Sequence, residues 1–215
     1  MAAGNNNYYD AKYFDWQKGI GAFGGWANLS KFWDYISPSD KVLDFGGGGG
    51  YLISNIKCAE KMIVEINDTA RENATSLGIT GHKFTSEIPD EWADVIISNN
   101  ALEHTDNPLI ELKGLYRVLR KSGKIIFVVP CSHITYKYKP GDINQHLYSW
   151  CPMDLGNIFT RAGFHVLESK PYRHKWPPHF KFISKFGRKF FDVCCKIYAR
   201  IETTWTQVRF VAEKL

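Results

Sequence analysis

The sequence lacks any long apolar run. Its longest central stretch of aliphatic and aromatic residues is 125–129 (IIFVV), far short of the ~20 residues a membrane-spanning helix needs. The beginning, MAAGNNNYYD, has neither a basic cluster nor an apolar segment. No secretion leader is expected, and the sequon at Asn28-Leu29-Ser30 then carries no meaning. Cysteine is sparse: five residues, an odd count, with no C-x-x-C pair. The expectation is reduced thiols in the cytoplasm. Charge of one sign is not in large excess, 27 basic residues standing against 22 acidic, so the surplus is informative only through its location. There is no internal repeat and no low-complexity tract beyond a glycine run.

What is present fits one ordinary domain. A chain of 215 residues can bury roughly 70% of its unfolded surface without disulfides or structural metal. Aromatic residues make up 15% of it; they crowd the first 35 residues and the segment from Tyr172 to Trp205, leaving a more regular middle. Residues 8–36 read as helix in two pieces, broken at the glycines of 19–25. After the turn at 37–40, short apolar runs alternate with amphipathic stretches. Strands are expected at 41–45, 61–66, 82–85, 93–98, 123–130, 165–172 and 206–214. Helices are expected at 50–57, at 68–77 with Asp68 as cap, at 107–119 and at 152–162, the last closed by Gly163. This alternation predicts an α/β fold: a mostly parallel seven-stranded sheet with helices on both faces. Ligands in such folds bind at the carboxyl ends of the strands, where strand order reverses.

The run Asp44-Phe45-Gly46-Gly47-Gly48-Gly49-Gly50 follows the first strand at that end. The dinucleotide fingerprint G-x-G-x-x-G fails, because its third glycine would be Tyr51 or Leu52. G-x-G-x-G fits at Gly46, Gly48 and Gly50. No G-K-[S/T] follows, which excludes a nucleotide-triphosphate loop. Asp44 would repel a pyrophosphate but suits a ligand carrying a sulfonium and an ammonium group. Glu65, 21 residues beyond Asp44, can accept hydrogen bonds from ribose hydroxyls.

The stretches VLDFGGGGGYL, IVEIN, ADVIISNNALEHTDNP and LYRVLRKSGKIIFVVP resemble the class I S-adenosylmethionine-dependent methyltransferases over residues 40–172. That resemblance implies a Rossmann-like sheet with an antiparallel last strand and S-adenosylmethionine as cofactor. Asp44, Gly46, Gly48 and Gly50 would cradle its methionine end, and Glu65, followed by Ile66, would take the ribose. Ser86 or Glu87 would lie near the adenine, and Asn99 would face the amino-acid portion. It also divides the chain into a helical cap at 1–36, a cofactor-binding core at 37–172, a basic aromatic helical insertion at 173–204 and a final strand at 205–215.

A hydroxyl acceptor must lose its proton as it attacks, to a positioned base or after binding a divalent ion. His104, His133 and His146 all follow strand ends. Asn100-x-x-Glu103-His104 with a distant His146 resembles the metal site of small-RNA 2'-O-methyltransferases, with Asn100 in place of its first glutamate; a related pattern occurs in ubiquinone-pathway O-methyltransferases. Asn100, Glu103, His104 and His146 would then hold Mg2+ or Mn2+; without metal, His104 or His146 becomes the general base. Trp26, His133, Tyr136, Tyr138 and Trp150 are candidate acceptor contacts, since aromatic faces suit sugars.

Residues 175–200 hold seven Lys or Arg and one Asp, with Phe182, Phe186, Phe190 and Cys194 at helical spacing. A cationic amphipathic helix either buries its apolar face or makes peripheral contact with a membrane. The flanks YFDWQKGIGAFGGWANLSKF, YKYKPGDINQHLYSWCPMDLGN and YRHKWPP are similar to methyltransferases of surface-glycan gene clusters in bacteria and large viruses. That similarity implies O-methylation of a sugar hydroxyl in a glycan, such as that of a deoxyhexose like rhamnose. Competing expectations are RNA 2'-O-methylation, for which no recognised RNA module is present, methylation of a small phenol, and a non-catalytic module that only binds partners.

Overall fold

The computed structural model describes residues 11–215 apart from Ile134 and Ile143, with the backbone alone described for 11–18. The part of the first expected helix at 8–10 lies outside the described residues. In chain order the elements are α1 (Ala11–Asn28), β1 (Lys41–Phe45), α2 (Tyr51–Ser54), β2 (Glu60–Val64), α3 (Asp68–Ser76), β3 (Thr80–His82) and β4 (Ala93–Asn99). There follow α4 (Pro108–Val118), β5 (Leu119–Cys131), α5 (Pro152–Ala162), β6 (His165–Tyr172), α6 (Phe180–Ile183), α7 (Arg188–Ile201) and β7 (Thr206–Glu213).

The sheet runs β3-β2-β1-β4-β5-β7-β6. β1 to β5 are parallel, and β7 is inserted antiparallel between β5 and β6. The central strands are buried on both faces, as continuous apolar runs such as VIIS require. One face packs Leu43, Ile96, Phe127 and Phe210 against α4 and α5. The other packs Val42, Ile63, Ile97 and Val128 beneath Leu29, Phe32, Ile53 and Ala74. This is the mostly parallel Rossmann-like α/β fold expected from the sequence, with its antiparallel strand one place in from the sheet edge. Among the described residues no helix is long and apolar enough to cross a membrane.

Three local expectations are corrected. α1 is one helix through the glycines at 19–25, not two. α3 is capped by Asn67, whose side chain accepts from the Ala70 N–H at 3.1 Å, rather than by Asp68. α4 passes directly into β5 at Leu119, so that strand begins four residues before Gly123. α4 and α5 start as their sequences suggest. Asn107 and Cys151 cap them, each with proline in the first helical position, where its missing N–H costs nothing.

Candidate active site

The sheet order reverses between β1 and β4, so a crevice opens at their carboxyl ends. The loop after β1 forms its floor. Gly46, Gly48 and Gly50 all have positive φ (68°, 52° and 79°), which is why glycine recurs at alternate positions there. A Cβ on Gly46 would stand 2.2 Å from the Ala101 Cβ. The Gly46 N–H donates to the Val64 carbonyl at 2.8 Å, and the Gly48 N–H donates to Glu65 Oε2 at 2.9 Å. Glu65 Oε1 accepts from the Asn67 N–H at 2.9 Å. Glu65 therefore ties the glycine loop to the start of α3, and burial raises its carboxyl above the usual range despite these bonds. Asp44, 2% exposed, lines the crevice; burial and then the neighbouring Glu65 push its pKa well up. A buried carboxyl of that kind is stabilised by an arriving cation.

α1 forms the opposite wall. Ile20, Gly21, Gly24, Gly25 and Asn28 lie at helical spacing along the cavity, whose volume is about 320 Å3. Gly25 explains why the helix continues through its glycines: a Cβ there would be 2.1 Å from the Tyr51 carbonyl oxygen. These glycines serve contact between helices rather than a chain break, and they bring α1 onto the glycine loop.

The crevice also meets a cluster after β4. Glu103 and His104 sit in a short 3-10 turn (Leu102–His104), not at the start of α4. His146 comes from the loop before α5, which is pinned there by the Leu147 and Tyr148 N–H groups donating to the Glu103 carbonyl at 2.9 and 3.2 Å. The two imidazole rings meet edge to face at 4.9 Å between centroids. Their Nε2 atoms stand 3.8 Å (His104) and 4.0 Å (His146) from Glu103 Oε1, too far for hydrogen bonds. Glu103 is fully buried, and neither of its carboxylate oxygens has a hydrogen-bond partner among the described residues. Burial raises its pKa to about 8. Burial lowers that of His104 to about 4, with His146 adding to the effect, and lowers that of His146 as well. One carboxylate oxygen and one nitrogen from each imidazole all lie within 4.8 Å of one another.

Lys31, in the turn after α1, is 3% exposed. Its Nζ donates to Asn99 Oδ1 at 2.9 Å and to Gln207 Oε1 at 3.2 Å, and Gln207 Nε2 donates to Asn100 Oδ1 at 2.9 Å. The ammonium only donates, so it sets the direction of the whole relay. Both asparagine oxygens are engaged, and the amide N–H groups of Asn99 and Asn100 are what remains for the cavity that both residues line. Asn100 is also held in the left-handed region at φ 57°. Burial lowers the Lys31 pKa to about 7.

Residues 22–169 match the family model described as a methyltransferase domain. The chain belongs to that methyltransferase family. Solved structures similar to it include the methyltransferase in a complex with the Trm112 methyltransferase activator of Haloferax volcanii: 16% identity, 94% of this chain, 97% of that one, TM-score 0.69. A SAM-dependent methyltransferase of Thermotoga maritima, described as a possible histamine N-methyltransferase, is 18% identical over 98% of both chains, with a TM-score of 0.68. A phosphoethanolamine N-methyltransferase of Haemonchus contortus, bound to its phosphomonomethylethanolamine ligand and S-adenosylhomocysteine, is 15% identical. It covers 92% of this chain and 57% of that one, with a TM-score of 0.63. At these identities the likeness is one of fold. No curated protein sequence matches the chain. The family implies S-adenosylmethionine; Asp44 and the glycine loop line the cavity, whereas Glu65 is not among its lining residues and its two carboxylate oxygens accept from the Gly48 and Asn67 N–H groups.

Asn100 lines the same cavity as His104 and His146, and its amide oxygen accepts from Gln207 Nε2 at 2.9 Å. In this methyltransferase the other expected site residues are dispersed. Ser86 and Glu87 lie in the turn after β3, where Glu87 accepts from the Lys83 N–H and pairs with His82; neither lines the cavity. Ile66 is exposed outside it. Trp26 points away from the crevice and packs with Phe23 and Phe191, with Arg188 over its ring at 5.2 Å. Trp150 is buried in the core. His133 bonds Thr135 at the surface, and Tyr136 and Tyr138 are exposed. Lys31, Gln207, Tyr51 and Asn28 were not legible as site residues. The one signal was a lysine between Leu29 and Phe32, a basic residue inside an apolar cap.

Proposed function

We propose that this methyltransferase transfers the methyl group of S-adenosylmethionine to a hydroxyl of a sugar in a glycan. The carboxylate–imidazole cluster at the crevice carries the oxygen part of this reading. An amine can attack as its free base, whereas a hydroxyl needs a proton acceptor at the reacting end. The sugar part rests on the similarity of the flanking segments to glycan-cluster methyltransferases. Asp44 receives the cofactor's ammonium group, the amide N–H groups of Asn99 and Asn100 face its carboxylate, and Glu65 takes its ribose. The acceptor oxygen attacks the sulfonium methyl in line, the carbon–sulfur bond breaks, and S-adenosylhomocysteine leaves. The acceptor's proton passes to His146 or His104.

The unpartnered, buried Glu103 oxygens beside two imidazoles also fit a divalent ion held by Glu103, His104 and His146. Two nitrogens and one oxygen suit a first-row transition ion better than magnesium. Such an ion would supply a lowered pKa to a bound hydroxyl. The test is turnover of labelled cofactor on a panel of glycosides, amines and RNA, with the product position mapped by NMR. Methylated glycoside is expected, with turnover lost by His146→Gln while S-adenosylhomocysteine still binds. Methylation of amines alone, or full turnover of His146→Gln, would overturn the reading. Turnover unchanged in excess chelator would remove the metal and leave the histidine base.

A further inference from the structure

The basic segment does not simply bury one apolar face and solvate the other. The inward side of α7 is satisfied: Phe191, Cys195 and Ala199 are buried, and with Ala27 of α1 they share a cluster against which Phe23, Trp26, Trp176 and Phe180 pack. Yet Phe182, Phe186, Phe190, Val193, Ile197 and Ile201, spaced by four or three residues from α6 through the whole of α7, are each more than half exposed. The first three rings meet edge to face along the surface at 5.3 and 5.8 Å between centroids. Single exposed apolar residues are ordinary; a six-residue stripe running from α6 through a 3-10 turn along α7 is not.

The charges beside this stripe indicate what covers it. Lys181, Lys185 and Lys189 are exposed, each one residue before a phenylalanine of the stripe, and none forms an ion pair among the described residues. The only acid of 175–200 is Asp192, which is buried and occupied by Ser30, His174 and Lys196. Within 175–200 the exposed face is therefore apolar with only cationic charges beside it. Phenylalanine rings can sink into the boundary of a bilayer while lysine stems reach back to phosphates, as in in-plane interfacial helices. We propose that the outer face of α6 and α7 docks this methyltransferase onto an anionic membrane surface. α1 lies between that face and the cavity, touching α7 through Phe23 and Trp26 and the crevice through Ile20 and Gly24.

The experiment is co-sedimentation of the full chain with vesicles of phosphatidylcholine alone or with roughly a third phosphatidylglycerol. Two triple variants accompany it, Phe182→Ser/Phe186→Ser/Phe190→Ser and Lys181→Gln/Lys185→Gln/Lys189→Gln. All six side chains face solvent, and unchanged S-adenosylhomocysteine binding verifies folding. Binding to the anionic vesicles only is expected, weakened at least tenfold by either triple change. Indifference of the wild-type chain to anionic vesicles, or variants that bind as it does, would overturn the proposal. So would a dimer in sedimentation velocity that the phenylalanine changes dissolve in the absence of vesicle binding, since the stripe would then belong to a second copy.

Discussion

Replacing Lys31 with methionine changes stability in a pH-dependent way that can be worked out in advance. The side chain is 3% exposed, and its pKa falls from 10.5 to about 7 because burial disfavours the ammonium, with the Cys195 thiol opposing weakly. The unfolded chain then binds more protons at this position than the folded one between pH 7 and 10.5, so the contribution to stability rises with pH across that window. Methionine cannot titrate. Subtracting the variant's unfolding free energy from the wild type's at each pH cancels every other group, including Glu103, whose raised pKa gives the opposite slope below about 8. From one proton per site and 1.36 kcal/mol per pKa unit, the difference should move by about 2 kcal/mol in favour of the wild type between pH 7 and 9. Urea denaturation in buffers of constant ionic strength measures it. The variant should also bind S-adenosylhomocysteine more weakly at every pH while keeping its affinity for methylthioadenosine, which lacks the amino-acid end, because Asn99 loses the donor that orients it. A difference that stays flat with pH, or equal losses for both ligands, would refute the assignment of Lys31.

Gly25→Ala places a Cβ 2.1 Å from the Tyr51 carbonyl oxygen, a backbone atom that cannot step aside. It should cost about 1–3 kcal/mol in thermal unfolding and enlarge the crevice enough to lower cofactor affinity, whereas Gly19→Ala on the same helix, with open space around it, should be neutral or stabilising. Glu65→Ala removes both the proposed ribose acceptor and the partner of the Gly48 N–H. A loss of about 1–3 kcal/mol, or roughly ten- to a hundredfold in S-adenosylhomocysteine affinity, is expected by calorimetry.

Much of the fold was legible because its signals are local. Apolar runs bounded by glycine, asparagine and proline located six of the seven strands, and the residues 41–45 and 165–172 coincide with β1 and β6; the strand expected at 82–85 meets β3 only at His82, and Thr85 opens a 3-10 turn instead. The glycine loop was equally readable, since alternate positive φ angles admit little else. The errors came from tertiary context. Glycines in α1 looked like a break, but they permit contact with Tyr51, a partner 26 residues away that no local pattern reveals. Aromatic residues looked like a sugar platform, yet Trp26 and Trp150 are spent on packing. Lys31 and Gln207 were invisible as a pair because only the sheet order brings the turn after α1 beside β7. The cluster of Glu103, His104 and His146 was read through a resemblance, and its assembly depends on backbone bonds from Leu147 and Tyr148 to Glu103.

The most direct test of the account is a crystal structure of the chain with S-adenosylhomocysteine. The account places the ligand over Gly46–Gly50 with its ammonium on Asp44, its ribose hydroxyls on Glu65 and its sulfur turned toward His104 and His146. An empty crevice at saturating ligand, or a ligand whose sulfur faces away from the two histidines, would contradict it.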